Sequence, residues 1–256
     1  MRLPVQRFGD PDGRELICLH GLAGYGARFR RLSELLPDRL LVCPDLRGHG
    51  EAGREPPWDT ARHVEDVLRT VEAEVETGAP DWLGFSFGGR VLVALLARWG
   101  SQGGERVCLL DPALSVPPAV CSERAAAELA GEAFASADEA IEAELASGLL
   151  QRTPRDMLEE EMELNLVRRP DGRLEYRYSR EMAIAAWSEM AGEPPPVTDA
   201  PTLIVVGERS WVPVDLDRYR VALGDRLSVT QVPGGHSVLW ESLAETAAAV
   251  AGFLSE

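Results

Sequence analysis

Lysine is absent: all 26 basic residues of this 256-residue chain are arginines. Schiff-base chemistry, which needs a lysine amine, is therefore excluded. Against 42 acidic residues the arginines leave a formal net charge of −16, the wrong sign for nucleic acid as a partner. Long apolar runs are missing too, since none approaches the roughly 20 residues a helix needs to cross a bilayer. The first residues, Met1 to Phe8, carry no apolar h-region, so the expectation is a cytoplasmic chain with no membrane partner.

Cysteine and histidine are sparse, with four of each. Cys18, Cys43 and Cys108 sit in strand-like apolar runs and Cys121 lies beside a proline-rich loop, which reads as buried free thiols. His20, His49, His63 and His236 are scattered without the helical spacing of metal ligands, so no metal site is expected. Neither a Walker loop nor a dinucleotide fingerprint occurs, and no cofactor is implied.

What is present centres on Gly84-Phe85-Ser86-Phe87-Gly88, a serine flanked by glycines. It lies between the apolar run Trp82-Leu83 and the helix-like run Arg90 to Leu96. A strand enters, the chain turns too tightly for side chains at the flanking positions, and a helix leaves, so the serine oxygen stands exposed above a helix N-terminus. Upstream, the strand-like Glu15 to Leu19 ends in His20-Gly21-Leu22-Ala23-Gly24, a flexible turn able to present backbone N–H groups. Downstream, the strand-like Leu227 to Val232 leads into Pro233-Gly234-Gly235-His236-Ser237, where a loop histidine suits a general base. A further strand, Leu41-Val42-Cys43, ends in the polar turn Pro44-Asp45-Leu46-Arg47-Gly48-His49-Gly50.

Strands near 15–19, 39–43, 81–85, 105–110, 202–206 and 227–232 alternate with helical patterns near 27–36, 60–77, 88–99, 215–223 and 241–254. Such alternation predicts an α/β fold with a mostly parallel central sheet and helices on both faces. Residues Arg2 to about Arg14 suggest an antiparallel edge hairpin turning at Asp10-Pro11-Asp12-Gly13. From Pro112 to Asp199 the alternation gives way to acidic helix-forming stretches: Ser122 to Ala130, Ser136 to Ser147 and Pro154 to Val167. Proline-rich joints bound it, Ser115-Val116-Pro117-Pro118 and Glu193-Pro194-Pro195-Pro196-Val197, suited to hinges or rigid stops.

The HG turn, the DLRGHG loop, the GFSFGG elbow and the GGHSV loop stand in the order and spacing of the α/β-hydrolase superfamily, which this chain resembles over nearly its whole length. The resemblance implies an α/β-hydrolase fold with a helical cap inserted after the sixth strand: a core of 1–111 and 200–256, and a cap of 112–199. It implies a nucleophile at Ser86, a base at His236, and an oxyanion hole from the backbone N–H groups of Leu22 and Phe87. His20 is then a brace of the oxyanion loop, and Asp45, Arg47 and His49 brace their own loop.

The acid is less direct. Most of the family places an aspartate after the seventh strand, but here the loop after Thr202 to Val206 puts Ser210 at that position. Asp111, which ends the strand Val107 to Leu110, and Asp215 both satisfy the chain order serine, acid, histidine. Asp111 stands at a strand terminus and is favoured, with Pro112 expected to keep that strand end extended. Asp215 reads as a helix N-cap.

Trp187, Trp211, Trp240 and Phe85 are read as packing with a pocket as the alternative, and Arg168, Arg169, Arg177 and Arg180 as balancing an acidic cap with binding of an acidic substrate as the alternative. The resulting expectation is a serine esterase or related acyl hydrolase acting on a small molecule. Two alternatives stand: a lyase resembling the menaquinone-pathway cyclohexadiene-carboxylate synthase, whose elbow also carries an arginine after paired glycines, and a silent ligand-binding protein of the same fold.

Overall fold

The computed structural model describes residues 1–75, 79–100, 105–148 and 150–255. Strands form at β1 (Val5–Gly9), β2 (Arg14–Leu19), β3 (Arg39–Pro44), β4 (Asp81–Phe85), β5 (Val107–Leu110), β6 (Leu166–Arg168), β7 (Leu174–Tyr176), β8 (Thr202–Gly207) and β9 (Leu227–Val232). Helices form at α1 (Arg30–Ser33), α2 (Thr60–Glu74), α3 (Phe87–Trp99), α4 (Pro118–Ala130), α5 (Ala137–Ala146), α6 (Arg155–Asn165), α7 (Arg180–Met190), α8 (Leu216–Leu223), α9 (Val238–Glu241) and α10 (Leu243–Leu254). Seven strands make one sheet in the order β1-β3-β2-β4-β5-β8-β9, parallel except for β1.

Successive side chains of a strand point to opposite faces, and here both faces are apolar, as a parallel sheet between two helical layers requires. Ile17, Leu19, Val42, Leu109 and Ile204 pack against Val64 and Val67 of α2, Val91 and Leu95 of α3, and Leu223 of α8. Their neighbours Leu16, Cys18, Leu41, Cys43, Cys108 and Leu110 face the other way, toward Leu32 of α1, Leu239 of α9 and Phe253 of α10. All four cysteines are buried and free.

Four sequence expectations are corrected. β1 and β2 do not form a hairpin, because β3 lies between them and β1 pairs antiparallel with β3. Both edges of β2 are occupied, by β3 and β4, so β1 finds its hydrogen-bond partners on the outer edge of β3. The connecting turn crosses the start of β3, with Asp10 N–H donating to Arg39 O at 3.1 Å. Counted along the described chain, the strand that precedes the insertion is therefore the fifth, β5, and not the sixth.

The predicted helix over 154–167 stops at Asn165, where the chain turns into the hairpin β6-β7. Pro170-Asp171-Gly172 makes that turn, with Gly172 N–H donating to Arg169 O at 3.0 Å; the signal was in the sequence but was submerged in a charged stretch. The predicted helix over 60–77 ends at Glu74, and positions 76 and 77 lie outside the described residues.

Between β5 and β8 the inserted segment builds α4 to α7 and the hairpin, with its own apolar cluster of Phe134, Ile141, Leu158 and Met162. Its two joints are tied to each other: Val116 N–H donates to Met190 O at 2.8 Å and Ser115 Oγ to Gly192 O at 3.0 Å. Arg90 of α3 donates to Leu114 O on one joint and, at 3.2 Å, to Glu193 O on the other. No helix among the described residues is long and apolar enough to cross a membrane.

Candidate active site

β4 runs buried into the turn at Ser86, and α3 leaves from the next residue. Ser86 has φ 52° and ψ −119°, a conformation L-residues rarely adopt. The flanking glycines make it possible. A Cβ on Gly84 would fall 2.7 Å from Gly89 Cα, and one on Gly88 would fall 2.2 Å from Leu19 O. Ser86 is anchored by its N–H donating to Leu110 O at 3.0 Å and its carbonyl accepting from Ala113 N–H at 3.1 Å.

The loop after β9 brings His236 to this serine, 150 residues away in sequence, with Ser86 Oγ and His236 Nε2 2.8 Å apart. On the other side of the ring, Nδ1 lies 2.5 Å from Asp111 Oδ2. A carboxylate only accepts when ionised, so Nδ1 carries the proton and Nε2 is left to accept from the serine hydroxyl. The imidazole is held between Phe85, stacked at 5.3 Å between centroids, and Trp211, also at 5.3 Å.

Asp111 follows β5 directly and is fully buried. Its φ is 42°, so the strand end is not extended as its sequence suggested. Pro112 bars the right-handed helical region, and the short aspartate side chain tolerates the left-handed one while its N–H donates to Val205 O at 2.7 Å. Asp111 Oδ1 accepts from Gly207 N–H at 3.3 Å, and Oδ2 also accepts from the Ser210 hydroxyl. Asp215 is placed elsewhere. Exposed at the start of α8, it accepts from Arg218 N–H at 3.0 Å as the helix N-cap.

Leu22 lines the same cavity as Ser86 and His236. Phe87 is the first residue of α3, so its N–H has no partner within the helix. The turn that carries Leu22 is braced by His20, which donates through Nδ1 to Gly21 O at 2.8 Å and accepts through Nε2 from Leu46 N–H at 2.9 Å. Burial pushes His20 down to about 3, which fixes it neutral. Asp45 braces its own loop by accepting from Gly26 N–H at 2.6 Å and Glu51 N–H at 2.9 Å, and Arg47 pairs with Asp66 at 2.7 Å.

The inserted segment reaches the same turn. Asn165 at the end of α6 donates to Ala23 O at 3.0 Å, and Glu161 accepts from Tyr25 Oη at 2.9 Å while pairing with Arg28. Neither Glu161 nor Asn165 carried any sequence signal, since their partners lie 133 to 142 residues away.

Above Ser86 the two layers enclose a cavity of about 200 Å³, walled by Phe85, Met162, Trp187, Met190, Trp211 and Trp240. The aromatic residues read from sequence as packing are thus pocket walls. A second cavity of about 270 Å³ shares Ala23, Arg28, Arg124, Glu144, Tyr176 and Trp187 with it and is more polar. Burial pushes the Glu144 carboxyl up, only partly offset by the Tyr176 hydroxyl it accepts at 2.7 Å. Arg169 and Arg180 pair with Glu175 within the inserted segment, whereas Arg177 pairs with Glu51 outside it and Arg168 donates to Gly172 O. Among the described residues no group of three or more His, Cys, Asp or Glu side chains is arranged to hold a metal ion.

A serine hydroxyl bonded to a neutral imidazole, itself bonded to a buried carboxylate, can lose its proton as its oxygen attacks an electrophilic carbon. Residues 16–249 match the family described as Alpha/beta hydrolase family. The chain is 32% identical over 227 residues to Lipase LipV of Mycobacterium tuberculosis, covering 88% of this chain and 85% of that protein. It is 30% identical over 96 residues to a putative 2-succinyl-6-hydroxy-2,4-cyclohexadiene-1-carboxylate synthase of Bacillus subtilis, covering 36% of this chain and 34% of that protein. A crystal structure of E-2-(acetamidomethylene)succinate hydrolase superposes with a TM-score of 0.84 over 99% of this chain and 95% of its own, at 23% identity, a likeness of fold. The chain belongs to the alpha/beta hydrolase family.

Proposed function

We propose that the protein is a serine hydrolase that cleaves an ester or related acyl bond of a small molecule through an acyl-enzyme. The observation that carries this reading is the unbroken hydrogen-bond chain from Ser86 Oγ through His236 to Asp111, 2.8 Å and 2.5 Å long in its two steps. Ser86 Oγ attacks the acyl carbon as His236 Nε2 takes its proton. The oxyanion that forms is held by the N–H groups of Leu22 and Phe87, each worth about 3 kcal/mol in the transition state. His236 returns the proton to the departing alcohol, and a water activated by the same nitrogen then releases the acid. Asp111 holds the ring tautomer and stabilises the imidazolium.

The segment 112–199 acts as the cap that closes the pocket and excludes bulk water. With about 200 Å³ beside the serine and a polar second chamber, the site suits a compact ester with a polar end. The likeness to a protein named a lipase favours EC 3.1 chemistry. The lyase alternative is less well supported, because Arg90 spends its guanidinium on Leu114 O and Glu193 O instead of facing the cavity.

The test is labelling with a fluorophosphonate probe followed by peptide mapping. Covalent modification at Ser86, with a burst of nitrophenol from a nitrophenyl acetate or butyrate, is expected. A folded protein that takes no label and releases no nitrophenol would sink the proposal in favour of a lyase or a binding protein.

A further inference from the structure

After β8 the chain makes a tight turn in which Ser210 N–H donates to Gly207 O at 3.0 Å. This turn sends two donors to one carboxylate: Gly207 N–H to Asp111 Oδ1 at 3.3 Å, and Ser210 Oγ to Asp111 Oδ2. The second of these is the oxygen that also receives His236 Nδ1–H. The direction of the serine bond is settled by chemistry. Val212 N–H donates to Ser210 Oγ at 3.1 Å, so the one hydroxyl proton is free to point at Asp111, and an ionised carboxylate can only accept it.

We propose that Ser210 is a positioning residue of this site: its hydroxyl fixes the orientation of Asp111 and sets how tightly that carboxylate holds the His236 proton. The inference rests on the hydrolase reading above. Asp111 is fully buried, and besides the imidazole its side chain is met by one backbone N–H and the Ser210 hydroxyl. Such a carboxylate depends strongly on each donor it has. Losing Ser210 leaves Oδ2 more basic and freer to turn. The imidazolium is then held more tightly, while the ring's aim at Ser86 is looser.

Other charges around His236 stay in place when Ser210 is changed. Glu241 of α9 is bonded to Gly235 N–H, the Arg124 guanidinium lies 5.4 Å from the centroid of the Trp211 ring, and Arg28, Glu144 and Glu161 line the same cavity. A change in pH response therefore reports on Asp111.

The experiment compares the full-length chain with Ser210→Ala, Ser210→Thr and Ser210→Cys. It reads kcat/KM against pH on nitrophenyl acetate, the rate of fluorophosphonate labelling, and the titration of His236 by NMR with ring-labelled histidine. Ser210→Ala is expected to label about tenfold more slowly, the effect of one hydrogen bond to a charged acceptor, and to move the acid limb about half a pH unit upward. Ser210→Thr, which keeps the hydroxyl, should stay within about twofold of wild type in rate and keep its acid limb. In an Asp111→Asn background, Ser210→Ala should add less than about twofold, because both act through one carboxylate.

Wild-type rate and acid limb in Ser210→Ala would overturn the proposal, as would a folded Ser210→Thr as impaired as the alanine variant. Should the alanine variant fail to fold, Ser210→Cys decides: a weak thiol donor with a wild-type rate and limb would also overturn it. If wild type itself neither labels nor turns over ester, the hydrolase reading fails. The His236 titration still tests Ser210 in that case, since it needs no catalysis.

Discussion

Among the described residues four that are not glycine have positive φ: Ala23, Ser86, Asp111 and Leu150. Three of them, Ala23, Ser86 and Leu150, line the cavity, and the fourth holds its histidine. Strain of this kind costs about 1–3 kcal/mol per residue and persists only where the surroundings over-determine it. Here strand ends and glycine turns do so around Ser86 and Asp111. The acid assignment follows at this scale. Asp111→Asn should lower kcat by about 10³–10⁴-fold, because the amide no longer fixes the ring tautomer. Asp215→Ala should leave kcat unchanged and cost about 1 kcal/mol of stability, the worth of a helix N-cap. Steady-state kinetics and denaturant melts on both variants check the pair; a kinetic defect confined to Asp215→Ala would reverse the assignment.

At the scale of elements, α6 is the link between the inserted segment and the turn that carries Leu22. Two ion pairs on this helix differ in setting. Arg28–Glu161 is enclosed, with side chains 14% and 5% exposed, whereas Arg30 of the pair Arg30–Glu160 is 47% exposed. Removing one partner of a buried pair strands the other, so Glu161→Gln should cost about 3 kcal/mol and lower Tm by about 5–10 °C. It should also reduce kcat, since glutamine keeps a single accepting oxygen where Tyr25 and Asn165 now each have their own beside Ala23. Arg30→Gln should change stability by less than about 1 kcal/mol, because exposed pairs are screened. Calorimetry on the two variants reads the contrast, and equal losses would show that α6 is not held through its buried face.

For the whole molecule, three buried histidines set the response to acid. Burial lowers His20 to about 3 and His63 to about 4, and drives His49 well below its ordinary value, with His20 and His63 adding to the effect on His49. The unfolded chain takes up these protons near pH 6.5, whereas the native state refuses them until the lowered values are reached. Stability is thus full above pH 6.5 and is lost as pH falls from there toward 4, by about 2 kcal/mol for each histidine by pH 5. Relief of self-repulsion works the other way as the −16 charge is titrated, but it is spread over a screened surface and is the smaller effect. His63 is the clearest probe, for neither ring nitrogen has a hydrogen-bond partner among the described residues and the ring packs T-shaped against Phe87. His63→Leu should preserve stability at pH 8 and flatten the loss between pH 6.5 and 5. Thermal melts across that range check it, and an unchanged slope would assign the acid response elsewhere.

What this chain's sequence determined by itself was local. The elbow at Ser86 was legible because the sterics of a tight strand-to-helix turn exclude side chains at Gly84 and Gly88, and that exclusion is written in adjacent positions. The same holds for the buried strands and for Asp215 as a helix cap, both set by their immediate neighbours. Only the tertiary structure decided which carboxylate meets His236, because β5 and the β9 loop are neighbours through a sheet order that no short segment encodes. It likewise decided that Ser210, standing where an acid was expected, bonds to Asp111, and that β1 pairs with β3. The wiring of Glu161 and Asn165 to the turn at Ala23 also belongs to the tertiary structure. These partners lie 31 to 142 residues apart, and a hydrogen bond through space depends on where two strand or helix ends come to rest, not on the residues beside either one.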